Sequence, residues 1–293
     1  MANQPLAEVF GYPIDNFSEE AKRHRRLKLC PFNNKVPSCT KDKANSPLGV
    51  CTVFDKDEEA ITCPIRFRQN WTIAENACQF FFPEGTHWTS LTEVRLNEGN
   101  GKSAGNIDVV CVSYDESGHV LDFGALEVQA VYISGNIRNP FEYYLADPTT
   151  RSNFDWRRKP LYPNPDYLSS SRKRLIPQLI YKGGILNAWG KKTAVALHKN
   201  FYNTLPILPE VNREDSNLAW LIYDLVYNVE QKKYSLELER TIYTQFQPAL
   251  DKVTTPEPGS MDDFIEILQD KLDEKNEDGN PPDAPTLTDV INI

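Results

Sequence analysis

Asp108 and the pair Glu127-Val-Gln129 are the residues of this chain whose types and spacing could do chemistry. Each sits in an apolar, strand-like run, Ile107-Asp-Val-Val-Cys-Val and Phe123-Gly-Ala-Leu-Glu-Val-Gln-Ala-Val. Burying a carboxylate costs several kcal/mol unless something pairs with it. In a strand, residues two apart share a face, so Glu127 and Gln129 point one way and Leu126, Val128 and Ala130 the other. If the two runs are neighbouring strands, the carboxylates of Asp108 and Glu127 meet. Together they would hold Mg²⁺, which takes oxygen ligands and keeps several waters. That ion activates water and offsets charge on a phosphorane and its leaving oxygen, so the chemistry implied is metal-assisted phosphodiester hydrolysis. Gln129 would orient the attacking water or bond a phosphate oxygen, but it cannot supply the positive charge of a lysine. Glu93 could join from the preceding element. The plainer reading is a set of ordinary strand carboxylates facing solvent.

The elements that must position these residues follow from periodicity. Residues 89–96 carry a helical apolar pattern that includes Glu93. Residues 107–114 read as a strand, Ser117-Gly118 as a turn, and residues 120–133 as one long strand bent near Gly124. Residues 135–166 are turn-rich. Helical patterns follow at 167–176 and 191–205. Residues 219–229 and 234–246 read as two strands joined by a polar turn, Glu230-Gln-Lys-Lys. A last helix is expected from Met261 to about Glu274, with Ser260 as N-cap and Phe264, Ile265, Leu268 and Leu272 as its apolar stripe. The Asp- and Pro-rich segment 278–293 reads as a loosely held tail.

With 293 residues, 40% hydrophobic and 11% aromatic, the chain can build a substantial core. No apolar run approaches a membrane span and the first thirty residues lack an apolar signal core, so the expectation is a cytoplasmic protein. The net charge of -9 argues at first against nucleic acid. Its distribution argues the opposite. Residues 151–200 hold eleven Lys and Arg against two Asp, and residues 256–293 hold two Lys against eleven Asp and Glu. A polyanion responds to the local patch. Arg172, Lys173, Arg174, Lys182, Lys191 and Lys192 are therefore the candidate DNA contacts, with a solvated helix face as the plainer alternative. Gly99-Asn-Gly-Lys-Ser lacks the earlier glycine of a phosphate-binding loop, since Leu96 stands there. It reads instead as a turn delivering the strand to Asp108, with Lys102 against a DNA phosphate.

Cys30, Cys39, Cys51 and Cys63 lie in a loop-rich segment with no CxxC pair. Either they are four unrelated thiols, or they converge on one metal that organises a segment with little core of its own. Sulfur donors suit iron or zinc equally. Cys78 and Cys111 lie among apolar residues and read as core thiols, and the four histidines form no ligand set.

Several long stretches are similar to one known family. They are Glu93-Val-Arg-Leu, Gly99-Asn-Gly-Lys-Ser-Ala-Gly-Asn-Ile-Asp108, Asp122-Phe-Gly-Ala-Leu-Glu127-Val-Gln129, Asp166-Tyr-Leu-Ser-Ser-Ser-Arg-Lys-Arg174 and Pro177-Gln-Leu-Ile-Tyr-Lys-Gly-Gly184. The chain resembles the NotI-type restriction endonucleases, a branch of the PD-(D/E)xK nucleases with Gln in place of the usual Lys. The resemblance implies an α/β fold with a PD-(D/E)xK restriction-endonuclease-like core, a mixed central sheet flanked by helices, and an N-terminal four-cysteine metal-binding module. It implies Glu93, Asp108, Glu127 and Gln129 as the active site, Mg²⁺ on Asp108 and Glu127, and a structural iron on Cys30, Cys39, Cys51 and Cys63. Double-stranded DNA with a GC-rich palindrome is the implied substrate and a homodimer the implied assembly, with a cognate DNA methyltransferase in the same prokaryotic cell. The expected division is 1–85 for the cysteine region, 86–255 for the nuclease core with its basic segment 151–200, and 256–293 for the C-terminal helix and acidic tail. The alternatives are a repair or defence nuclease of relaxed specificity, and a metal-cluster DNA-binding protein that does not cut.

Overall fold

The structure is a computed structural model and is described for residues 3–43 and 46–277. Its centre is a six-stranded mixed sheet. We number these strands β1 (Trp88–Asn97), β2 (Ser103–Tyr114), β3 (Val120–Gln129), β4 (Thr193–His198), β5 (Leu218–Asn228) and β6 (Lys233–Thr244). Their order in space is β6-β5-β4-β3-β2-β1. The meander β1-β2-β3 is antiparallel, β3, β4 and β5 run parallel, and β6 closes antiparallel on β5. Helices cover both faces, so the α/β class with a large mixed sheet is as expected.

Several elements differ from the expectation. Residues 89–96 form an edge strand, β1, rather than a helix. Thr89, Thr92 and Val94 are β-branched and suit a pleated surface, and pairing with β2 along nearly its whole length overrides a short helical pattern. Residues 191–205 are mainly β4, buried at every position, with only Lys199–Tyr202 helical after it. A parallel strand buried on both faces reads as a continuous apolar run, which periodicity alone cannot separate from a helix. The expected long strand 120–133 stops at Gln129, and Tyr132–Ser134 pairs instead with Asn164–Asp166. Gly124 marks a close approach rather than a bend: a Cβ there would lie 2.4 Å from the Phe81 ring.

One face of the sheet packs on helix α1 (Thr72–Phe81), which buries Ile73, Ala77, Cys78, Phe80 and Phe81 against Cys111, Leu126, Val128 and Ala196. Cys78 and Cys111 are thus core thiols. The other face receives Leu175 and Leu179 and helix α2 (Phe246–Thr254), against Val195, Leu197 and Trp220. Residues 167–188 are helical throughout, with two widened π segments, Ser171–Leu175 and Leu179–Gly183. Pro177, which has no N–H to donate, stands between them. Residues 135–166, expected as turns, include the helix Arg138–Ala146. The N-terminal segment builds a four-stranded sheet from Leu6–Val9, Tyr12–Pro13, Val50–Asp55 and Glu58–Ile61.

The chain divides into two compact units, Met1–Thr254 and Thr255–Ile293. The second holds helix α3 (Met261–Glu277), capped by Ser260, whose Oγ accepts from the Asp263 N–H at 3.3 Å. Its apolar residues Phe264, Ile265, Leu268 and Leu272 are exposed. The segment 278–293, expected as a tail, lies outside the described residues. Among the described residues no helix is long and apolar enough to cross a membrane.

Candidate active site

β2 and β3 pair antiparallel, with one irregularity between Ser113 and Tyr114, as far as Val109 and Leu126, and there the pairing ends. β2 continues beside β1 to Ser103, while β3 continues beside β4, where Glu127 aligns with Val195 and Gln129 with Leu197. The two central strands therefore fork, and Asp108 and Glu127 sit at the point of divergence on opposite prongs. Splaying leaves ladder groups without their strand partners, and buried backbone groups must find others. Asp108 Oδ2 accepts the Val128 N–H at 2.8 Å, and the Asn106 carbonyl accepts from Lys182 Nζ at 2.8 Å.

Leu126, Val128 and Ala130 pack toward α1, so Glu127 and Gln129 face the other layer, as alternation predicts. Glu127 is 2% exposed and Lys182 4%. Lys182 Nζ lies 2.6 Å from Glu127 Oε2. Burial, then the neighbouring Asp108 carboxylate, push the Glu127 carboxyl up to about 8 despite the lysine, which acts in the opposite direction. Glu127 Oε1 is buried with no hydrogen-bond partner. An acceptor left open beside a second carboxylate fits a hard divalent cation, which binds through one or two carboxylates and completes its shell with water and phosphate oxygens.

The remaining expected site residues are placed differently. Gln129 is buried, and its Nε2 donates to the Ala130 carbonyl at 2.8 Å. Glu93 is level with Asp108 on β1 but half-exposed, and its carboxylate lies 3.7 Å from Arg68 Nη2. It also takes a left-handed backbone, φ 58°. The structure gathers Asp108 and Glu127 with Lys182, and does not gather Glu93 with them.

The candidate DNA contacts separate in the same way. Arg172, Lys173, Arg174 and Lys102 are exposed, and Arg174 stacks on the Tyr132 ring at 5.1 Å. Lys191 pairs with Asp122 at 2.5 Å, and Lys192 donates to the Phe80 carbonyl at 3.1 Å. Lys182 is committed to Glu127. These three lysines are therefore engaged within the chain, and Lys182 belongs to the carboxylate site. Composition marked Lys182 as basic, but no spacing rule links it to Glu127, because the link runs through the layer of residues 167–188.

The four N-terminal cysteines are electrostatic neighbours. Burial and then Cys63 raise both Cys39 and Cys51, and Cys30 is pushed up to about 11 by burial with Cys63 and Cys39 adding to it. Among the described residues, however, no group of three or more His, Cys, Asp or Glu side chains is arranged to hold a metal ion. The expected closed four-thiolate site is not formed by these side chains as they stand.

The mixed sheet carries the half-buried Asp108 and the buried Glu127 at a strand fork, with exposed Arg172, Lys173 and Arg174 on the helical layer. The family model described as Restriction endonuclease NotI matches residues 8–236. The chain belongs to this family and is a type II restriction endonuclease, a site-specific deoxyribonuclease. No curated protein matches the chain significantly.

Proposed function

We propose that the enzyme hydrolyses double-stranded DNA in a Mg²⁺-dependent reaction at the β2–β3 fork, on a PD-(D/E)xK-type core. The observation that carries this reading is the interaction of the Asp108 and Glu127 carboxyls where the β2–β3 ladder ends, with Glu127 Oε1 lacking a hydrogen-bond donor. Asp108 and Glu127 would hold the ion, which when bound supplies Lewis acidity to the phosphate and a more acidic water. Asp108, fixed by the Val128 N–H, keeps one carboxylate oxygen for the ion. In the reaction a water oxygen bonds to phosphorus, the P–O bond to the leaving sugar oxygen breaks, and that oxygen takes a proton. Gln129 rigidifies the end of β3 through its bond to the Ala130 carbonyl. Glu93 is assigned no step while it pairs with Arg68.

Arg172, Lys173, Arg174 and Lys102 supply salt-dependent phosphate contacts. A GC-rich palindrome read by a homodimer places one active site on each strand. Such an enzyme works in the cytoplasm of a prokaryote, and its cell needs a matching DNA methyltransferase. Incubation with phage DNA and Mg²⁺ is expected to give discrete fragments. A smear points to relaxed specificity, and unchanged DNA overturns the reading.

A structural iron or zinc on Cys30, Cys39, Cys51 and Cys63 is the reading for the N-terminal region, within residues 1–85. It is supported by the sulfur donor chemistry and by the closeness of Cys63 to Cys30, Cys39 and Cys51, each of which it raises. The ion would hold chain segments together and take no part in hydrolysis. Metal analysis of the purified protein is expected to find about one iron or zinc per chain, lost together with folding in Cys39→Ala. A folded, metal-free native protein would refute it.

A further inference from the structure

We propose that Lys182 supplies the positive charge of the active site, delivered from the helical layer to the fork rather than from the strand that carries Glu127. This rests on the hydrolytic reading of the fork given above. Strand β3 offers no cation two residues after Glu127, because Gln129 stands there and its amide is turned onto the Ala130 carbonyl. Lys182 comes from fifty-five residues away and enters the same face. Its ammonium bridges the fork, donating to Glu127 Oε2 on one prong at 2.6 Å and to the Asn106 carbonyl on the other at 2.8 Å. An ammonium has three donors, so one N–H remains for a non-bridging oxygen of a phosphate held against Asp108 and Glu127. That oxygen gains charge as the water bonds to phosphorus, and a pre-positioned donor at such a point stabilises the transition state more than the ground state.

The surroundings fix the amine in place. Lys182 lies in the π segment Leu179–Gly183, a helical irregularity that recurs at functional sites. The next residue, Gly183, lies against α2, where a Cβ would stand 2.6 Å from the Phe246 ring. Leu179 is buried in the core below. A purely structural ion pair explains this less well, because apolar residues of similar volume often stabilise as much or more than a buried pair.

The test is the variant Lys182→Met, which keeps the volume and removes the charge. Under single-turnover conditions with saturating enzyme and Mg²⁺, cutting is expected to slow by about 100-fold or more. DNA affinity in Ca²⁺ is expected to stay near native, while the melting temperature of the metal-free protein falls because the buried Glu127 loses its counter-charge. Adding Gln129→Lys in the same chain returns an amine to the fork and is expected to recover at least about a tenth of the native rate. Cutting by Lys182→Met within about threefold of native overturns the proposal. So does a loss of cutting that is matched by equal loss of DNA affinity. If the single variant does not fold, the double variant decides: restored cutting supports the proposal, and a folded, inactive double variant overturns it. Native protein that leaves DNA intact would instead sink the hydrolytic reading itself, and the two failures are thereby distinguished.

Discussion

Asp108→Asn and Glu127→Gln are each expected to slow DNA cutting by at least about a thousand-fold, while DNA affinity in Ca²⁺ changes little. The amides are better probes than alanine because each carboxylate has a second task. Asp108 accepts the Val128 N–H where the ladder has opened, and alanine would leave that buried donor unpaired at about 1–3 kcal/mol. Glu127 accepts from Lys182, and alanine would strand a buried ammonium. The amides keep an acceptor in each place and remove only the negative charge that a divalent cation needs. Single-turnover cleavage and a binding titration in Ca²⁺, run on the same preparations, separate the two effects. Normal cutting by either amide variant removes the fork from the mechanism.

The second large effect is expected far from the fork. Arg66→Ala should destabilise the folded unit by about 3–5 kcal/mol, read as an earlier midpoint in urea. Arg66 and Glu8 are both fully buried. The guanidinium donates to both Glu8 carboxylate oxygens, at 2.8 and 3.2 Å, and also to Gln69 Oε1 and the Tyr234 carbonyl. Its flat face lies 4.3 Å from the centre of the Phe32 ring. One side chain thus ties the N-terminal sheet, through Glu8, to β6, through Tyr234. Removing it leaves a buried carboxylate with no counter-charge. The paired replacement Glu8→Leu with Arg66→Met removes both charges together and should recover much of the loss. A single variant within about 0.5 kcal/mol of native would show that the pair contributes nothing that water does not replace.

These cases show what the amino-acid sequence makes legible. β2, most of β3 and the β5–β6 hairpin are readable because each alternates or is bounded by turn residues. The facing of Glu127 and Gln129 away from Leu126 and Val128 follows from the strand period alone. β1 and β4 are not readable in the same way. β4 is buried on both faces and so has no period, and β1 is an edge strand whose identity is set by β2. The partnership of Asp108 with Glu127 is legible because two acids interrupt neighbouring apolar runs. Lys182 with Glu127, Arg68 with Glu93 and Arg66 with Glu8 are not, because each pair is made by the layering of distant segments. Basic composition located Lys182 but assigned it to the DNA surface, because charge counts carry no direction.

Glu93 has a consequence beyond chemistry. β1 is the outer strand of the sheet, and β2 is its neighbour on one side alone. A bare strand edge is a template on which a second chain can lay down another strand, the first step of aggregation. In the left-handed backbone at Glu93 the even row of amide and carbonyl groups is broken midway along β1. The charged neighbours Glu93 and Arg95 are both exposed on that edge. An incoming strand could match only a few residues before losing register, so the turn of one residue protects the border of the sheet from being copied.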